Sequence, residues 1–269
     1  MSDKKKIRIL NILIIIFAIL FIVSGALLAF TLINLKKSKS YYKETAKNYV
    51  KIVETNDDLD LVSIDSDASG KEADPAILKK FKDKAPINVD FNGLKSVNED
   101  ICGWIYCPDT IINYPVVKGD DNSYYLHRML DNSVSYPGSI FMDCKGKTDF
   151  SDKNTVIYGH NMKNSTMFGT LIGYKNQDYY KEHPVIYYLT PDKNYRFDIF
   201  AAFVTRVGSI SYQCNEENFS NLLTQAYETS DIHTIIDKND IQNIVTLSTC
   251  AYDFTDARYV VQANVVEIE

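Results

Sequence analysis

The sequence lacks the cysteine spacing of a zinc site and, over most of its length, lacks an excess of positive charge. Its five cysteines include no C-x-x-C pair, which argues against a zinc site made of three cysteines and His127. No compact cluster of carboxylates indicates another metal, and we expect no cofactor. Residues 1–40 hold seven Lys/Arg and one acidic residue, so the rest of the chain holds 22 basic and 34 acidic side chains, a net charge of −12. Phosphate contacts need clustered Lys/Arg, so we exclude nucleic acid as a partner.

The number of cysteines is odd, so at least one thiol is free or pairs with another chain. On one extended strand Cys102 and Cys107 would point to opposite faces, which is wrong for a disulfide. We expect Cys102, Cys107, Cys144 and Cys214 to be small buried apolar residues. Cys250 differs, because the small polar residues before it suggest the wall of a polar groove.

Residues 9–35 form an apolar run that is longer than the roughly 20 residues needed to span a bilayer as a helix. The small residues at 24–26 resemble a signal-peptide cleavage site, but the apolar run continues beyond them and favours an uncleaved anchor. Four Lys/Arg precede the run and three lysines follow it. This slight bias favours an N-terminus inside the cell and a body outside it.

The rest of the chain divides by composition. Residues 41–55 carry an apolar stripe typical of a juxtamembrane helix, residues 56–75 are acidic and predict a solvated tether, and residues 76–82 predict another short helix. We therefore expect a cytoplasmic N-terminus at 1–8, a transmembrane anchor at 9–35, a juxtamembrane helix and acidic linker at 36–86, and a globular domain at 87–269.

In this last part, short β-rich runs alternate with clusters of turn residues. Eight strands with little helix between most of them predict a closed or nearly closed β-barrel. One amphipathic helix is expected at residues 219–229, ahead of the last two strands. The predicted strands cover residues 103–106, 111–117, 139–142, 155–158, 185–189, 195–207, 243–249 and 259–268.

Three residues at strand ends predict a nucleophilic site. A β-branched run ends in Cys250, and a polar turn leads to a second apolar run with Arg258 at its start, so two paired strands would bring thiol and guanidinium together. A thiolate needs a nearby cation, and a reacting carbonyl needs a donor aimed at its oxygen. His160 follows another short strand and is the best candidate for the base. Each residue alone is more often structural or solvated, so the prediction rests on all three.

Residues 246–250 (Thr-Leu-Ser-Thr-Cys), Arg258 and residues 158–162 (Tyr-Gly-His-Asn-Met) together resemble the sortases, the membrane-anchored cysteine transpeptidases of Gram-positive bacteria. The resemblance covers residues 89–269. The helix at 219–229 and the helical N-terminal extension are similar to class B sortases. Class D members can share the Thr-Leu-Ser-Thr-Cys string, so the class rests mainly on that helix.

The resemblance implies an eight-stranded sortase-type β-barrel with N-terminal helices, a helix before the Cys-bearing strand, one preceding transmembrane helix, and a catalytic domain at 87–269 outside the cell membrane. Cys250 would attack the Thr carbonyl of a C-terminal sorting pentapeptide on a secreted protein and form a thioester. His160 would protonate the departing amine, and a peptidoglycan precursor amine would then attack the thioester. Arg258 would hold the substrate carbonyl or the oxyanion.

Three further residues are expected to contact the substrate. Ser248 lies two residues before Cys250 and shares its strand face. Tyr212 and Ser209 lie in the segment before the helix, which in class B relatives forms one wall of the peptide groove. Two alternatives stay open: a cysteine hydrolase that uses the same three catalytic residues, and a tethered binding module in which Cys250 is structural.

Overall fold

The computed structural model describes residues 3–53, 83–214 and 216–269. Its α-helices are α1 Asp3–Tyr49, α2 Phe91–Val97, α3 Gln177–Glu182 and α4 Phe219–Thr229, and short 3-10 helices include Tyr124–His127 and Ile210–Tyr212. The strands are β1 Val50–Ile52, β2 Ile87–Val89, β3 Ile101–Tyr106, β4 Asn113–Val117, β5 Ile140–Met142, β6 Asn154–Tyr158, β7 Val185–Leu189, β8 Asn194–Arg206, β9 Ile244–Cys250 and β10 Ala257–Ile268.

Strands β3 to β10 form one closed barrel in the order β10–β8–β7–β3–β4–β5–β6–β9. Most neighbours are antiparallel, but β4 pairs with β5, and β6 with β9, in parallel. Because the barrel is closed, each of these eight strands has a hydrogen-bonded neighbour on both sides. No strand edge therefore needs another element to cover it. The barrel confirms the predicted fold class, and each predicted barrel strand lies where the sequence indicated.

The apolar core fills the barrel and continues under the helix on its outer face. Successive residues of β10 alternate between these two regions: Val261 belongs to the cluster inside the barrel, and Val260 packs beneath α4. Helix α4 buries Leu222, Leu223 and Ala226 on one face. This confirms the amphipathic helix predicted before the Cys-bearing strand.

Helix α1 is continuous over 47 residues, roughly 70 Å at the rise of an α-helix. It is long and apolar enough to cross a membrane, and the apolar stretch is not buried against the rest of the protein. The helix predicted over residues 41–55 ends earlier, at Tyr49, because Val50–Ile52 pair with β2. The tether predicted at 56–75 and the helix predicted at 76–82 lie outside the described residues.

The last turns of α1 pack on the barrel. Tyr42 is buried, and its hydroxyl donates a hydrogen bond of 2.7 Å to the carbonyl of Gly138. Its ring meets that of Tyr114 edge to face, with centroids 5.5 Å apart. The membrane-type helix and the barrel are therefore joined by a buried polar and aromatic contact.

All five cysteines are free thiols, in agreement with the expectation that Cys102 and Cys107 do not form a bridge. The expectation that four of them are buried holds in full for Cys107 and for the sulfur of Cys102, which packs against the core, and is wrong for Cys144 and Cys214. Taken as whole residues, only Cys107 is buried, whereas Cys102, Cys144 and Cys214 are partly exposed. Cys144 and Cys214 lie in loops rather than strands, and loops run over the protein surface.

Gly103 is a test of core packing, because a Cβ atom there would lie 2.3 Å from the phenol ring of the buried Tyr188. We expect Gly103→Ala to lower the free energy of unfolding by about 1–3 kcal/mol, the usual cost of overpacking. Urea denaturation of the full chain in detergent measures this. Gly146→Ala is the control, since its Cβ would meet no atom closer than 3.3 Å. Equal losses in both variants would contradict the packing argument.

Candidate active site

Strand pairing brings three segments to one edge of the barrel. In the parallel ladder of β6 and β9, Tyr158 lies opposite Ser248. Cys250 ends β9, and His160 lies two residues after Tyr158, just beyond the end of β6. In the antiparallel ladder of β9 and β10, Cys250 lies directly opposite Arg258. Directly opposed residues on neighbouring strands have Cβ atoms about 4.5–5.5 Å apart. The predicted hairpin arrangement of thiol and guanidinium is therefore present.

A cleft of about 670 Å³ opens at this edge of the barrel. Cys250, His160 and Arg258 all line it, as do Ser248 and Tyr212. Cys250 is partly exposed at the end of an otherwise buried strand, so its thiol borders the cleft and does not lie in the core. Five of the six predicted site residues thus share one concave surface, as expected for a small-molecule or peptide site.

His160 is held by one hydrogen bond and two neighbouring rings. Its Nε2 lies 2.8 Å from the carbonyl oxygen of Leu126, to which it donates a hydrogen bond. The other ring nitrogen, Nδ1, is not used in this contact. The rings of His127 and Tyr136 lie 5.5 and 5.7 Å from the His160 ring, each within about 23° of parallel. Burial, opposed by the Leu126 carbonyl, lowers the pKa of His160 below its ordinary value of 6.5.

Backbone and guanidinium contacts surround Cys250. The side-chain amide of Asn161 donates a 2.8 Å hydrogen bond to the carbonyl of Cys250, which ties the His-bearing loop to the end of β9. The guanidinium of Arg258 donates to the carbonyl of Ala257 at 3.0 Å. In the described part of the chain no carboxylate forms an ion pair with Arg258, so most of its donors are open to an oxygen in the cleft.

Tyr212 and Ser248 form one wall of the cleft. Their hydroxyl groups are hydrogen bonded at 2.8 Å. The segment that carries Tyr212 is anchored from inside, because the amide of Asn154 donates to the carbonyls of Ser211 and Gln213. Burial raises the pKa of Tyr212, and the hydrogen bond to Ser248 partly offsets this.

Ser209 is set apart from the other predicted residues. Among the described residues, the cleft lining includes Gly208 and Tyr212 but not Ser209. Its hydroxyl accepts a hydrogen bond from Thr205 at 2.8 Å. Ser209 follows Gly208, whose φ of +75° is in the region that favours glycine, and the turn therefore directs the serine to the neighbouring strand.

The sequence did not single out several residues that hold the site together. Leu126 acts through its backbone carbonyl, which no side-chain pattern can indicate. His127 was considered only as a zinc ligand, but its ring stacks on that of His160 because the 3-10 helix Tyr124–His127 ends beside the cleft. Asp143 accepts hydrogen bonds from Asn122 and from the hydroxyl of Tyr158, at 2.8 Å each. Its position directly after a strand was the one available signal.

No group of three or more His, Cys, Asp or Glu side chains placed to hold a metal ion is found among the residues that the structure describes. By their chemistry, the thiol, imidazole and guanidinium at the barrel edge can act as a nucleophile, a proton carrier and a hydrogen-bond donor to an anionic oxygen. This set suits acyl transfer through a covalent thioester.

Comparisons with known protein sequences all indicate the same family. The sequence model of the Sortase domain family matches residues 105–266. A protein named Sortase B from Listeria monocytogenes serovar 1/2a is 34% identical over 196 residues, which cover 69% of this chain and 80% of that protein. Sortase B from Staphylococcus aureus is 31% identical over 192 residues, 70% of this chain and 79% of that protein.

Solved structures show the same similarity. The S. aureus sortase B–substrate complex superposes with a TM-score of 0.62 at 30% identity, covering 66% of this chain and 85% of that one. Sortase B from B. anthracis reaches a TM-score of 0.67 at 26% identity, covering 88% of this chain and 99% of that one. The larger coverage of the B. anthracis protein shows that the similarity extends beyond the region that the S. aureus structure matches.

The lowered pKa of His160 predicts how stability depends on pH. Because its folded pKa lies below the ordinary value of 6.5, the unfolded chain binds more protons between the two values. Stability should therefore fall as the pH drops below about 6.5. We expect His160→Gln to reduce this loss in urea denaturation at pH 7.5 and 5.5. His233→Gln, at an exposed position, is the control, and an unchanged pH dependence in His160→Gln would contradict the assignment.

The thiols should differ in reactivity towards an alkylating reagent. Burial raises the pKa of Cys102 to about 11, of Cys107 to about 12 and of Cys214 to about 11, which reduces their thiolate fraction. Cys250 borders the cleft opposite a guanidinium, so we expect it to be modified before the four other cysteines. Peptide mapping by mass spectrometry follows the time course, with Cys250→Ala to identify the fragment. Equal labelling of all five thiols would contradict this expectation.

Proposed function

We propose that this chain, which belongs to the sortase family and within it to class B, cleaves a C-terminal sorting signal after Thr and transfers the protein to a cell-wall amine. As a sortase it is a cysteine transpeptidase. The observation that carries the proposal is the shared cleft of Cys250, His160 and Arg258. We assign the three residues the roles of nucleophile, proton carrier and oxyanion donor.

In the first step the thiolate of Cys250 attacks the Thr carbonyl carbon of the sorting signal. A carbon–sulfur bond forms, and the negative charge moves to the carbonyl oxygen. The tetrahedral intermediate collapses by breaking the carbon–nitrogen bond to the next residue. His160, as imidazolium, gives its proton to the departing nitrogen, which leaves as a neutral amine. The product is a thioester between Cys250 and the substrate Thr.

In the second step a primary amine attacks the thioester. The new carbon–nitrogen bond replaces the carbon–sulfur bond, the amine proton passes to His160, and Cys250 leaves as thiolate. His160 is thus returned to the imidazolium with which the cycle began. Thioesters react readily with amines, so a cleft that admits the amine while restricting water favours transfer over hydrolysis.

Arg258 stabilises the charge that develops on the carbonyl oxygen. Its position opposite Cys250 and the absence of a carboxylate ion pair among the described residues leave guanidinium donors for that oxygen. Donors fixed before the reaction stabilise such a charge more effectively than mobile water does. Removal of one such donor typically costs about 10²–10³ in rate.

The wall formed by Tyr212 and Ser248 binds the residues of the sorting signal that precede Thr. Both side chains line the cleft beside Cys250, and each has a hydroxyl that can bond to an extended peptide. Ser209, whose hydroxyl is bonded to Thr205, supports the turn before this wall and does not touch the peptide itself.

The burial of His160 has a consequence for the first step. Its lowered pKa makes the neutral imidazole the main form near neutral pH, yet the step needs an imidazolium beside a thiolate. Only the fraction of molecules in that charge state reacts, and the Leu126 carbonyl raises this fraction by favouring the cation. The contact to Leu126 therefore both orients the ring and helps to keep part of it protonated.

We place the catalytic domain, residues 87–269, on the outer face of the cell membrane and residues 1–8 in the cytoplasm. The apolar helix α1 supports an anchor, and the four Lys/Arg before the span against three lysines after it support this orientation. In this position the cleft meets secreted proteins that carry the sorting pentapeptide and the peptidoglycan precursor amine.

The function is tested with the full chain in detergent, a library of Thr-containing pentapeptides and a panel of primary amines that includes triglycine. We expect cleavage directly after Thr and, only with added amine, a ligated product in the mass spectrum. Cys250→Ala should lower both products by roughly 10³-fold or more. Circular dichroism of the variant, which removes a single sulfur atom, checks that the fold is kept.

Other outcomes separate the alternatives. Cleavage without any ligated product across the amine panel would identify a cysteine hydrolase. Peptide processing that is unchanged in Cys250→Ala would show that the thiol is structural, as in a binding module. Either result would refute the proposed transfer reaction.

A further inference from the structure

A second cleft, of about 440 Å³, lies between the end of α1 and the barrel. We call it the lysine groove. Apolar residues of both the helix and the barrel line the groove, so the groove is formed by the packing of α1 against the barrel. These apolar residues include Ala46, Val50 and Ile52 on the side of α1 and β1, and Ile111, Tyr114 and Met167 on the side of the barrel.

Three lysines of α1 line the groove: Lys39, Lys43 and Lys47. Residues four apart lie on the same helix face, so the three amines form a row that extends about 12 Å along the helix. All three are exposed, and within the described ranges none of them forms an ion pair with a carboxylate. Among the residues that the structure describes, no acidic side chain lines the groove, although the chain beyond residue 40 has a large excess of acids.

The groove lies next to the apolar part of α1. Leu35 ends the apolar run, and Lys39 follows it by four residues, or roughly 6 Å along the same helix. The polar layer of a bilayer is about 5–8 Å thick on each side of the hydrocarbon core. If α1 crosses a membrane, the first lysine of the row therefore lies at the level of the lipid phosphates, and the groove opens beside them.

We propose that the lysine groove binds one anionic phospholipid of the bilayer that contains α1. The phosphate-bearing head group pairs with the row of lysines, and the apolar walls cover the glycerol and the first acyl carbons. An apolar lining with a row of exposed cations at the bilayer surface fits a lipid of negative charge. It does not suit a zwitterionic lipid or an acidic soluble peptide equally well, since the first lacks net charge and the second lacks acyl chains. This proposal is independent of the transpeptidase chemistry.

The test uses the full chain in nanodiscs that contain equal amounts of phosphatidylglycerol and phosphatidylcholine. Native mass spectrometry counts the lipids that stay bound after the disc is removed. We expect one phosphatidylglycerol to be retained in preference to phosphatidylcholine. The triple variant Lys39→Gln, Lys43→Gln, Lys47→Gln should lower that retention by about tenfold or more, because it removes the three amines that line the groove and would pair with the head group.

A matched variant separates a bound lipid from general attraction to a charged bilayer. Lys36→Gln, Lys37→Gln, Lys51→Gln removes the same number of exposed charges from the same region but leaves the groove lining intact. We expect this control to retain phosphatidylglycerol as the wild-type chain does. Equal losses in the two variants, or no preference of the wild-type chain for phosphatidylglycerol, would overturn the proposal. Equal melting temperatures of the variants show that a loss of binding is not unfolding.

Discussion

The parallel pairing of β6 with β9 is the constraint on which the active site depends. It places Tyr158 opposite Ser248, so both strands leave the barrel at the same edge, and His160 and Cys250 follow there. Thr249 and Gly159, 90 residues apart in the chain, are hydrogen bonded across this edge at 2.8 Å. A short turn cannot join adjacent parallel strands, and the chain between them instead supplies β7, β8 and α4. The long connection is thus the same part of the chain that builds the wall of the cleft.

A network of buried hydrogen bonds connects these paired strands to the wall of the cleft that contains Tyr212. Gln262 donates to the hydroxyl of Thr246, which donates to the side-chain oxygen of Asn154, at 3.0 and 2.8 Å. The amide nitrogen of Asn154 then reaches the carbonyls on both sides of Tyr212. Such a network is costly to bury unless its members are bonded to one another, so it favours one arrangement over others. The position of Tyr212 beside Ser248 is therefore set by three adjacent strands, although the residue itself lies in a loop.

The parts of the site that sequence could predict are those fixed by local pairing. A β-branched run, a short polar turn and a second apolar run predict a hairpin, and that hairpin places Cys250 opposite Arg258. The partner of His160 could not be predicted in the same way, because it is the backbone carbonyl of Leu126, in a 3-10 helix 34 residues away. The expected burial of Cys214 is wrong for a related reason. The residue type indicates only that the side chain is small and apolar, whereas its exposure depends on the path of the loop before α4 along the cleft.

The position of the imidazole is also linked to α1, the helix that is long and apolar enough to cross a membrane. The Leu126 carbonyl that accepts from His160 lies against Gly138, whose φ is +57° and where a Cβ atom would come within 2.3 Å of that same oxygen. The carbonyl of Gly138 accepts from Tyr42 of α1, and the hydroxyl of Ser139 lies 3.0 Å from the same phenol. A chain of direct contacts therefore runs from α1 through this glycine to the acceptor of His160. The contacts of Tyr42 with Gly138 and Ser139 are buried, so α1 packs directly on the segment that contacts the acceptor of His160. A chain without α1 would lose these contacts.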